Sequence, residues 1–103
     1  MSTKRQTLVS QALLQLIPFA PLEDTVAIRA LANRQHMRGL PVDRAIWLST
    51  TTYIRHNLTD YHALLADGYD RDTARFFIID DMNAVLARWQ ATRFVSGDED
   101  IGD

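Results

Sequence analysis

Apolar residues recur along most of this chain at intervals of three and four, the spacing of helices that each bury one face. From Thr7 to Ile17 the positions Leu8, Val9, Ala12, Leu13, Leu16 and Ile17 follow that repeat, and Pro18 ends it by pushing its predecessor out of the helical region. A second helix is predicted from about Leu22, with Glu23 and Asp24 at its positive end, Arg34 and Arg38 at its negative end, and Gly39 as its stop. Its buried face draws on Val26, Ile28, Ala30, Leu31 and Ala32. Pro41 suits the first turn of a third helix, whose inner face is Ile46, Trp47, Thr50, Tyr53 and Ile54. The run Ser49 to Thr52 is locally strand-like, but the helical spacing continues across it and no second strand-like segment offers a partner.

Thr59 can cap a new helix beginning at Asp60, and Gly68 supplies the left-handed residue that stops it after two turns. So short a helix cannot hold alone, so Tyr61, Leu64 and Leu65 must dock on something else. Asp70 repeats the start signal. A last and longest helix is predicted from Arg71 to about Thr92, with Ala74, Phe77, Ile78, Met82, Val85, Leu86 and Trp89 as one broad stripe. The fold class is therefore all-α: a compact bundle of about five helices with the long C-terminal helix as its spine.

Composition narrows this picture. At 103 residues and 47% hydrophobic content there is material for one core, assigned to residues 1–95, with 96–103 expected to be a disordered acidic tail. No apolar run is long enough to span a bilayer and no export signal is read at the N-terminus, so a cytoplasmic location is expected. The absence of cysteine removes disulfides and thiolate metal sites. Charge is split along the chain: residues 1–58 carry seven Lys or Arg against three acids, residues 59–103 four against ten. Such polarity marks an anionic partner or head-to-tail association, or simply charges placed at the helix ends that favour them.

The chemistry is densest between Tyr53 and Asp72. His56 closes the third helix, where it is either a C-cap with Thr59 as the matching N-cap, or a proton-transfer group or ligand. His62 lies six residues on, across a helix break, and His36 has no visible companion; no standard metal-ligand spacing is present, so no metal and no cofactor is predicted. Asp80 and Asp81 are adjacent on a helix, point about 100° apart and cannot form a dyad. Arg71 and Arg75 stand four apart on one face, either solvated or gathered around an anion. Tyr53, Tyr61 and Tyr69 are either core residues with hydroxyls at the surface or the lining of a pocket.

Arg55, His56, Thr59, Asp60, Tyr61, Leu64, Leu65, Gly68, Tyr69, Asp70, Arg71, Ala74 and Arg75, with Asn83 to Leu86, Arg88 and Trp89, resemble the domain of unknown function family 2293. The resemblance covers roughly residues 40–89 and is most specific at the His56, Thr59, Tyr61 spacing. It implies a small helical domain of bacterial proteins with fungal relatives. It departs at His62, where the family pattern has an acid. The name implies no activity. Three readings follow. The preferred one is a non-enzymatic module that binds a macromolecule, a protein first of all, through Arg55, His56, Thr59, Asp60, Tyr61, His62, Arg71 and Arg75. The second is nucleic-acid binding by the basic first half, against which stands a pI of about 5.8. The third is an enzyme with a His56-centred acid–base group beside Tyr61 or Asp60, although no catalytic residue is assigned because no nucleophile or oxyanion site is recognisable. The oligomeric state is left open, with an exposed Phe76 or Phe94 as the hint of a dimer face.

Overall fold

The Thr3 hydroxyl accepts the Gln6 amide at 3.1 Å and the Gln6 side chain accepts the Thr3 amide at 3.0 Å, a reciprocal cap that starts the first helix. A computed structural model describes residues 3–97. Helix α1 (Lys4–Leu16) thus begins three residues before the apolar repeat, because its start signal is polar. Helix α2 (Leu22–Ala32) ends well short of Gly39. The chain turns out at Asn33 into a single 3₁₀ turn, Gln35–Met37, and the cause is tertiary. The Arg5 guanidinium crosses from α1 to the carbonyls of Met37 (3.0 Å) and Leu40 (2.8 Å) and so ties this connection to the first helix.

Helix α3 (Val42–Leu58) is the element on which α1, α2, α4 and α6 all pack, so the spine is α3 and not the last helix. The strand-like run lies at its centre. Ser49, Thr50 and Thr51 are fully buried, and the Thr51 hydroxyl turns back onto the Trp47 and Leu48 carbonyls at 3.0 and 3.2 Å. Packing on several sides overrides weak propensity. The buried hydroxyls of Ser49 and Thr50 have no hydrogen-bond partner among the described residues. Replacing Thr50 by the near-isosteric valine is therefore expected to raise stability, by up to about 1 kcal/mol, in urea titration; a clear loss would show that the hydroxyl is satisfied after all.

Helix α4 (Tyr61–Ala66) ends at Gly68, whose φ of +101° is the left-handed stop expected. The expected long last helix is corrected. It is two helices, α5 (Arg71–Phe77) and α6 (Ile79–Arg88), giving six α-helices and no strand among the described residues. The break at Ile78 leaves all of the stripe but Phe77 in place. Ala74, Ile78, Met82, Val85, Leu86 and Trp89 are buried, while Phe77 faces solvent, and Asp80 and Asp81 fall in the first turn of α6 where negative charge is favoured. The chain leaves α6 at Trp89, and Gln90 takes a positive φ of 57°. Beyond it the Asn83 side chain accepts the Val95 amide at 2.8 Å and donates to the Val95 carbonyl at 3.0 Å, seating Val95 in the core. Most of the expected disordered tail, residues 98–103, lies outside the described residues.

One link was invisible in the pattern. Asp24 is buried at the start of α2 and accepts a short hydrogen bond from the Tyr53 hydroxyl on α3. That bond, with burial second, pushes the phenol up to about 12 from its usual 10.0. A value raised on folding contributes stability that is complete below pH 10.0 and is lost as pH rises through about 12. Tyr53→Phe leaves the carboxylate buried without the phenol and is expected to cost about 1–3 kcal/mol at neutral pH. Urea titrations of both proteins should show the gap closing across that alkaline window.

Candidate functional site

The corner between α3 and α4 is built by one hydroxyl. Thr59 has extended backbone, ending α3, and its Oγ1 donates to the Arg55 carbonyl at 2.6 Å and accepts the Tyr61 amide at 3.3 Å. A carbonyl orphaned by the end of one helix and an amide orphaned by the start of the next are satisfied together. Asp60 is exposed and makes no capping bond of its own.

Above the corner the side chains are layered. Tyr61 (1% exposed) and Arg55 (2%) lie at the bottom, the guanidinium carbon 5.7 Å from the tyrosine ring centre. The half-buried His56 stands edge-on to Tyr61 at 5.5 Å between ring centres, and the exposed His62 closes the stack, 4.8 Å from His56 and 5.6 Å from Tyr61. Thr59 takes the Arg55 carbonyl, and His56 turns Nδ1 to His62 Nε2 at 2.8 Å. This contact joins α3 to α4 through side chains. It needs one of the two nitrogens to be bare, so it holds only while at least one ring is neutral.

The structure therefore gathers Arg55, His56, Thr59, Tyr61 and His62. Arg71 and Arg75 stand on α5, the first exposed and the second half-buried, and Asp81 is exposed on α6. Asp70 caps α5 by accepting the Thr73 amide at 2.8 Å, and the hydrogen bonds from Thr73 hold its carboxyl below the usual range. Among the described residues no group of three or more His, Cys, Asp or Glu side chains is placed to hold a metal ion. No helix among them is long and apolar enough to cross a membrane.

Two features go beyond the sequence reading, which had only Phe76 of the first. One is a set of exposed aromatic rings around α5. Tyr69, Phe76 and Phe77 are 45, 68 and 50% exposed, with ring centres 5.3 Å apart for Tyr69 and Phe77 and 6.4 Å for Phe76 and Phe77. Adjacent phenylalanines on a helix diverge by about 100°, a signal that both could not join one stripe. The other is an open cavity of about 350 Å³ between α1, α3 and the segment after α6, where Arg93 lies over Trp47 with its guanidinium carbon 4.2 Å from the ring centre. It joins residues remote in sequence, and none of the corner residues lines it.

Fold and corner together define a small all-helical domain organised on a central helix and a histidine–tyrosine turn. Residues 12–90 match the family model described as uncharacterized conserved protein (DUF2293), and the chain belongs to that family. No curated protein matches the chain, and no solved structure does.

Proposed function

We propose that the chain is a non-enzymatic interaction module that binds a protein partner through the α3–α4 corner and the arginine-bearing helix α5. The observation that carries this is the cluster of Tyr69, Phe76 and Phe77, three solvent-facing rings within one short stretch, with Tyr69 and Phe76 each neighbouring Phe77. Contiguous exposed aromatic surface with arginine on the same helix is the composition of binding hot spots. At the corner, Thr59, Arg55 and Tyr61 are used in or beneath the turn, and His62 is the part that meets solvent. The corner thus positions α4 and α5, and α5 supplies the contact.

Affinity capture with the wild-type chain and with a Phe76→Ser, Arg71→Ala double variant tests this. Both positions are exposed, so the variant should melt within a few degrees of wild type. Loss of captured protein at unchanged melting temperature is the expected result. Full recovery of the same partner by the variant removes α5 from the interface.

A further inference from the structure

The aromatic face sits in acidic surroundings. Asp67, Asp70, Asp72, Asp80 and Asp81 are all exposed around α5, and residues 60–81 hold six Asp against two Arg. A nucleic-acid backbone is repelled by such a field, and the occupant that fits brings positive charge together with apolar surface. The same chain carries that complement. Arg5 ties the start of α1 to the α2–α3 connection through the Met37 and Leu40 carbonyls. That clamp brings the start of α1, with the exposed Lys4 and one turn along it the exposed Leu8, to a connection that carries the exposed Arg34 and Arg38 and leads into Asp43 and the exposed Arg44 in the first turn of α3.

The two surfaces cannot meet within one molecule. Helix α3 starts beside the basic end and finishes at the corner that leads into α4 and α5; its 17 residues span roughly 25 Å at 1.5 Å per residue. In a molecule 45 Å long, the charge split along the sequence becomes a separation in space. We infer that the acidic aromatic face around Phe76 receives the basic end of a second copy of this chain, in a head-to-tail contact. This rests on the interaction-module reading and identifies its partner. Because the patches differ, the contact is heterologous and repeats: every assembly keeps one unused face of each kind, at its two ends. Charge supplies much of the attraction, so the association weakens with salt.

Sedimentation velocity and light scattering on the full chain test it, with two variants built at exposed positions. Phe76→Asp removes the aromatic face and keeps the basic end. The double variant Arg34→Glu, Arg38→Glu does the reverse. Wild type is expected to show mass rising with concentration up to roughly 1 mM, the weak limit of specific association. The rise should collapse toward the monomer between about 0.1 M and about 1 M salt, as the screening length falls from about 10 Å to about 3 Å. Each variant alone should stay monomeric with melting within a few degrees of wild type, and an equimolar mixture should form a one-to-one dimer, since one intact face of each kind remains. Wild type that stays monomeric throughout overturns the inference, as does a mixture that stays monomeric or self-association indifferent to salt. If capture of another protein still depends on Phe76 while wild type is monomeric, the module reading stands and the second copy is excluded as its partner.

Discussion

Tyr61→Ala is expected to lower the stability of the domain by about 3–5 kcal/mol, the range for deleting a buried aromatic ring, and to reduce the melting temperature by more than about 10 °C. Tyr61 is the fully buried side chain of α4, a helix of six residues that cannot persist without tertiary contact. Its removal opens a void beneath His56 and beside the buried Arg55, whose guanidinium then loses the ring it lies near. Amide exchange in α4 should accelerate before the rest of the chain opens, since the Thr59 hinge bonds only the first turn. Calorimetry of the variant decides the matter: a loss below about 1 kcal/mol would mean that α4 is held by other contacts and that the corner is not the organising turn.

Leu86→Ala and Phe77→Ala should behave in opposite ways, though the hydrophobic pattern ranks them alike. Leu86 is fully buried on α6, which packs against α3, so its truncation is expected to cost about 2–5 kcal/mol. Phe77 is half exposed beyond the break at Ile78, and its truncation should move stability by no more than about 0.5 kcal/mol. Parallel urea titrations give both values. Equal losses would mean that α5 and α6 form one continuous helix in solution with Phe77 turned inward.

That pair also shows how far the pattern of residues reached. Apolar spacing located every helix core, because burial of one face is what the spacing records. The exception is Phe77, which is half exposed although Ala74 and Ile78 of the same stripe are buried. The end of α2 was misplaced for a related reason: Gly39 is a strong local stop, but the Arg5 side chain, 32 residues before Met37, takes the carbonyls that decide the path. At the corner the local signals were sufficient, with Thr59, Gly68 and Asp70 acting as expected on neighbours within a few residues. The His56–His62 contact was less legible, because it depends on the angle between two helices and not on the spacing of six alone. The bond between Asp24 and Tyr53 was not legible, and of the aromatic cluster around α5 only Phe76 was, for both arise from tertiary placement.

Asn83 uses its amide on Val95 as an adjoining strand would use its backbone, donating once and accepting once. A stretch without regular structure is thereby stitched to α6 by a single side chain, and the last hydrophobic residue of the core arrives through that stitch. The described core therefore reaches at least five residues past the family match at residue 90, and on the other side it includes the Arg5 bonds and Val9, which precede the match at residue 12. A fragment trimmed to the family limits would lack the Arg5 clasp at one edge and Val95 at the other, so the heritable signature covers less polypeptide than the packing it belongs to.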